Sequence, residues 1–248
     1  MHTIFALQLI YMTVRYALAA LICITAAAPV AYAQDVVKDG PKLEKTKVSK
    51  PSRDFLMLQV MHSGWLNAPD TVKIKGLGRG FNGYICYDFP IKKSNFSFAA
   101  GIGVGVDNIY LNDQQVVLTD NDTNAQARYI TETLKYKRYK VTTTYLEAPF
   151  ELRFFGNKEN RNKGFKAAAG LRVGTLIGAH TKGKEDGSKI IYKVNTKRYL
   201  ETWRFAGTLR LGYGNFTLVG TYNLTNLYKE NQGPPITPYS IGLCITGL

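Results

Sequence analysis

His62 stands beside Ser63, and Glu147 stands four residues before Glu151. These are the residue types of acyl transfer and of carboxylate-pair hydrolysis. On a β-strand neither spacing serves that chemistry. Adjacent strand residues point to opposite faces, so His62 cannot orient Ser63. Two strand residues four apart lie about 13 Å from each other, too far to act on one bond. His180 is the second histidine a lipid-modifying enzyme could use. Cys86 and Cys244 fall on strands that flank a third, nearly 10 Å apart and beyond disulfide reach. No Cys/His spacing resembles a metal site. Gly76, Gly78 and Gly80 in a loop are too few to cradle a phosphate. The expectation is a protein with no catalytic residue, no cofactor and no metal.

Strands are what the hydrophobic pattern demands. From Phe55 onward the apolar period is two, in eight segments near 55-66, 80-90, 95-108, 141-155, 164-180, 200-213, 215-226 and 238-248. In the third, Phe96, Phe98, Ala100, Ile102, Val104 and Val106 share one face, and Ser97, Ala99, Gly101, Gly103, Gly105 and Asp107 the other. In the fourth, Leu146, Ala148, Phe150, Leu152 and Phe154 oppose Tyr145, Glu147, Pro149, Glu151 and Arg153. The connections run long, short, long, short, which is how transmembrane barrels separate outer loops from periplasmic turns.

A soluble barrel also alternates, with its apolar face inward. Here the opposite face mixes small residues with ionisable ones: Asp88, Asp107, Glu147 and Glu151 against Arg153, Lys166, Arg172, Arg204 and Arg210. Small residues beside long charged ones suit the narrow lumen of an eight-stranded barrel. Five positive and four negative groups there favour mutual pairing over an open pore, because buried charges persist when paired. Aromatics near the segment ends (Trp65, Phe81, Phe89, Phe96, Phe154, Trp203, Tyr213, Phe216 and Tyr239) read as interfacial girdles. The predicted fold is all-β, an eight-stranded antiparallel transmembrane up-and-down β-barrel.

Residues 1-33 read as a cleaved signal peptide, with Arg15 before an apolar stretch and Ala31-Tyr32-Ala33 before the cut; translation starts at Met1 or Met12. Residues 34-53 form a flexible, basic periplasmic lead, and 54-248 the barrel. Past residue 33 no apolar run approaches the roughly 18 residues of a spanning helix. The whole chain carries +14, from 32 Lys+Arg and 18 Asp+Glu. Export removes only Arg15 among these, and it makes nucleic acid an unsuitable partner. The remaining charge concentrates in the long loops, where Arg128, Lys135, Lys137, Arg138 and Lys140, then Lys182, Lys184, Lys189, Lys193, Lys197 and Arg198, form a basic rim. Lipopolysaccharide phosphates in the outer leaflet are the partner such a rim fits. Asn121-Asp122-Thr123 has the glycosylation pattern, discounted for a bacterium.

The run Tyr145-Leu146-Glu147-Ala148-Pro149-Phe150-Glu151-Leu152-Arg153-Phe154 resembles the "YLEIPLELRF" strand of the PorT-like outer-membrane barrels of Bacteroidota-type Gram-negative bacteria. Phe89-Pro90 at the end of the second segment, the Gly101, Gly103, Gly105 strand and the Gly170-Leu171-Arg172 strand follow the same order. The resemblance spans roughly Arg53 to Leu248. It implies an eight-stranded outer-membrane barrel without a known enzymatic activity; together with the residues it leads to the expectation of a non-enzymatic monomer in a structural or interaction role among lipid and other envelope proteins. It also brings two alternatives into view: an accessory role in type IX secretion and gliding, and, from other small barrels, lipid modification. The chain departs from the pattern in its terminal Thr246-Gly247-Leu248, where many barrels end in an aromatic, and in Ala148, where a larger aliphatic is usual.

Overall fold

A computed structural model describes residues 55–92, 94–118, 126–131, 136–157, 163–187 and 189–247. The signal, the lead segment, Asn121–Thr123 and Lys135 lie outside the described residues.

The strands are β1 (Leu56–Leu66), β2 (Gly78–Pro90), β3 (Phe96–Leu111), β4 (Gln114–Val117), β5 (Arg128–Thr131), β6 (Tyr136–Phe155), β7 (Phe165–Glu185), β8 (Ile191–Asn195), β9 (Trp203–Tyr213), β10 (Phe216–Asn223) and β11 (Thr237–Thr246). Eight of them close a ring. Pairing runs β1 to β2, β3, β6, β7, β9, β10 and β11, and β11 returns to β1 with Met57 opposite Thr246 and Ser63 opposite Ser240. Every step is antiparallel, so the fold is a closed, eight-stranded antiparallel β-barrel.

Alternation along each strand decides which side chains fill the ring. On β9, Arg204, Ala206, Thr208 and Arg210 are buried, while Trp203, Phe205, Leu209 and Leu211 are exposed. The exposed face is a lipid face, because water would leave so much aligned Phe, Leu and Ile surface uncompensated. Glycine lets β3 pass large neighbours. A Cβ on Gly105 would sit 2.9 Å from both the Asn82 amide oxygen and the Glu147 carboxylate, and one on Gly103 would meet the Gly83 carbonyl and the Tyr84 ring. At the β9–β10 turn, Gly214 takes φ 61°, as the first position of a two-residue hairpin requires.

The strands continue farther than the sequence pattern suggests. β6 runs 20 residues and β7 runs 21, carrying both above the lipid-facing zone. There the sheet follows the soluble rule, apolar inside and polar outside. Trp65, Ile109, Leu111, Val116, Tyr136, Tyr139, Val141, Tyr145, Leu176, Leu200, Tyr228 and Ile236 pack into one buried cluster under the β4–β5 hairpin. Two expectations change as a result. Trp65 is only 9% exposed and belongs to this cluster, not to a girdle, because it shares the inward parity of Gln59, Met61 and Ser63. The basic rim is largely strand, not loop. Arg128 opens β5, Lys137 and Arg138 lie in β6, and Lys182 and Lys184 lie in β7. Lysine there occupies the outward half of an alternating sheet, so charge density alone is a poor sign of loop.

A bulge makes the inversion possible. Tyr145 pairs with Leu176 but Thr144 pairs with Gly178, leaving Ile177 as an extra residue on β7. Below it the even-numbered Lys166, Arg172 and Leu176 face inward; above it the odd-numbered Ala179 and Thr181 do, and His180, Lys182 and Lys184 turn outward.

Candidate functional site

The nine ionisable residues singled out by parity all line the barrel interior, in two groups along its axis. Asp107 is partly exposed and the other eight are buried. At the end of the short turns, Arg210 grips Glu151 with two parallel contacts, Nε to Oε1 at 3.2 Å and Nη2 to Oε2 at 2.7 Å. Arg153 bridges Glu151 and Asp88, each at 2.8 Å. Lys166 lies beside this group, its Nζ 3.5 Å from Thr246 Oγ1 and 5.7 Å from the centre of the Phe155 ring.

Toward the long loops, Glu147 is the hub. It accepts the Tyr84 hydroxyl at 2.5 Å and pairs with Arg172 at 3.4 Å and Arg204 at 3.3 Å. Arg204 also reaches Asp107 at 3.0 Å, and Ser63 donates to the same carboxylate at 2.6 Å. Arg172 and Arg204 lie over the rings of Tyr84 and Tyr145, each 4.9 Å from the centroid. Gln59 connects the two groups: its Oε1 accepts from Asn82 at 3.0 Å and Arg172 at 3.2 Å, and its amide lies 3.9 Å from Cys244 Sγ. Little space remains. The cavity among Ser63, Asp107, Tyr145 and Arg204 holds about 20 Å³, and that among Arg153, Lys166 and Arg210 about 10 Å³. One water fits such a volume; a hydrated ion does not.

Sequence reasoning overlooked Gln59, Ser63, Asn82, Tyr84 and Tyr145 as members of this network. Their parity was a sufficient signal, since Asn82 and Tyr84 alternate in step with Cys86 and Asp88 on β2.

Glu147 and Glu151 belong to different groups and share no guanidinium. His62 sits on the face opposite Ser63, its Nδ1 3.0 Å from the Gly78 carbonyl oxygen and its ring edge-on to Tyr239. Cys86 and Cys244 are free and buried, among Met57, Met61, Tyr84 and Val219. Among the described residues no three His, Cys, Asp or Glu side chains could hold a metal ion.

The basic residues gather on the outward face above the lipid zone. Lys140, Lys182 and Lys193 stand directly opposite one another on β6, β7 and β8, and Arg138 opposes Lys184 in the adjoining row. Arg128 and Lys189 are exposed farther along the outer end. His180 lies one row nearer the membrane. Partial burial, then the fields of Lys193, Lys140 and Lys182, hold its imidazole below the ordinary histidine range.

A closed antiparallel ring with an apolar exterior and an ion-paired interior defines the class, a transmembrane β-barrel. The chain belongs to the outer membrane protein beta-barrel domain family, whose sequence profile matches residues 51–229. Searches of curated proteins and of solved structures return no match.

Proposed function

We propose that this outer-membrane barrel is non-enzymatic, a structural or interaction protein whose lumen is closed by its own salt bridges. The carrying observation is the filled interior, where eight charged side chains are buried, seven of them joined with Asp107 through ion pairs, and adjoin cavities no bigger than a water. The outer apolar cluster adds a second closure above the first. Reconstituted into planar bilayers, the protein is expected to give no stable single-channel current. A reproducible conductance in the wild type would reject the plugged reading.

Affinity to the PorT-like barrels rests on the Tyr145–Phe154 motif, whose Glu147, Glu151 and Arg153 are the hubs of the lumen network. That resemblance supports one alternative, accessory service to type IX secretion and gliding; unaffected cargo export after deletion rejects it. Lipid remodelling by His62 or His180 is the other alternative. It is disfavoured by the opposite facing of His62 and Ser63, and an unchanged lipid A profile after deletion removes it. Export through a cleaved signal at residues 1-33, and outer-leaflet lipid as the surrounding partner of a monomer, complete the proposal.

A further inference from the structure

We propose that the outward face of β6, β7 and β8 is a binding site for the phosphate groups of an outer-leaflet glycolipid. The inference deepens the lipid partnership above and rests on the barrel reading, with long connections on the outer side.

Register is the first support. Directly opposed like charges weaken a sheet, yet Lys140, Lys182 and Lys193 form an unbroken row across three strands, with Arg138 and Lys184 in the next. No ion pair among the described residues reaches any of the five. Lys140 donates to Asn108 at 2.7 Å, which leaves its charge uncompensated. Burial, then Lys182 and Lys193, push its ammonium below the ordinary lysine range. An anion in the row would relieve all three.

Shape is the second. Arg138, Lys140, Lys182 and Lys184 surround a cleft of about 280 Å³ whose other walls are Tyr110 and Ile191. A neighbouring cleft of about 220 Å³ shares Tyr110 and Arg138 and adds Lys75, Arg79 and Lys137. Two adjoining basic clefts fit a ligand with more than one phosphate. Apolar walls beside the cations fit a molecule that also carries sugar or acyl surface.

Height selects the source. Lys140 lies six residues beyond lipid-facing Leu146, and Lys182 five beyond Ile177, or about 17–20 Å along the strands. With a tilt near 45° that is about 12–14 Å above the hydrocarbon edge. A bilayer's polar layer is only about 5–7 Å thick on each side. Lysine side chains reach back part of the difference. A sugar-borne phosphate stands higher than a phospholipid's and meets the row directly.

The test uses the full barrel folded in detergent micelles, with bound lipid counted by native mass spectrometry. The probes are bis-phosphorylated lipid A, the same lipid A dephosphorylated, phosphatidylglycerol and inorganic phosphate. The variant K140Q/K182Q/K193Q is compared with K92Q/K163Q/K229Q, which removes equal charge elsewhere. Wild type and the control variant are expected to hold bis-phosphorylated lipid A at least about tenfold more tightly than the row variant does, as loss of charge-assisted contacts requires. Dephosphorylated lipid A and phosphatidylglycerol should bind all three weakly, and millimolar inorganic phosphate should displace nothing. Equal binding by the row variant, or equal retention of phosphatidylglycerol, overturns the site. Displacement by inorganic phosphate reassigns it to a free anion and overturns the glycolipid. The heat-modifiable gel shift checks the barrel separately, and K182Q alone serves if the triple variant loses it. Lost selectivity with the shift intact counts against the site and leaves the barrel reading standing.

Discussion

Each buried charge in the lumen holds another in place. Glu151 is the acid that Arg210 grips with both nitrogens, and Arg153 leans on the same carboxylate. Removing one partner of such a group strands the other in a low-dielectric interior, which costs about 3–5 kcal/mol. Glu151→Ala is therefore expected to lower stability by about that amount. The measurement is the urea midpoint at which the folded gel band disappears; an unchanged midpoint would mean that water already solvates Arg210. Membership of the lumen was legible from parity, because a period of two assigns every strand residue to one face or the other. Partnership was not. Which carboxylate Arg204 finds depends on the stagger between β9 and β3, strands that do not pair with each other, and no local pattern encodes that.

At the scale of elements, one extra residue decides the character of the outer sheet. Ile177 sits unpaired opposite the Thr144–Tyr145 step and exchanges the inward and outward sets on β7. A one-residue slip moves an entire side-chain set to the other face. Deleting Ile177 is not such a slip: it removes the extra residue, makes Gly178 follow Leu176 opposite Thr144, and should leave Lys182 opposite Lys140 and Lys184 opposite Arg138, both still facing outward. The expected outcome is a heat-modifiable variant that still resists trypsin within 178–185; cleavage there, or a lost gel shift, would show that the bulge itself is needed to hold β6 and β7 together. The same bulge explains why the alternation that marks the fifth strand in the sequence runs out near residue 180. Strict alternation breaks there, and the lysines beyond it resemble a loop until β6 and β8 are seen pairing with them.

The described residues form one barrel with two zones that meet opposite solvents. The lower is apolar outside and ionic inside, and the upper is apolar inside and basic outside. The chain's two tryptophans report one from each. Trp203 is 54% exposed on the lower exterior, and Trp65 is 9% exposed within the upper core. In bilayers with brominated acyl chains, Trp65→Phe, which leaves Trp203, should be strongly quenched, and Trp203→Phe, which leaves Trp65, should be nearly unaffected. The reverse pattern would place the wrong face in lipid.

By itself the sequence determined strand number, the antiparallel barrel and the sign of each face. Those follow from a two-residue period, from connection lengths and from putting charge opposite a continuous apolar face, all of which are local. Tertiary structure alone decided how far the strands run, which charges pair and where the basic residues converge. The rows Lys140–Lys182–Lys193 and Glu147–Arg172–Arg204 join residues distant in sequence. Closing the ring sets the stagger that brings them together, and stagger belongs to pairs of strands rather than to any one of them.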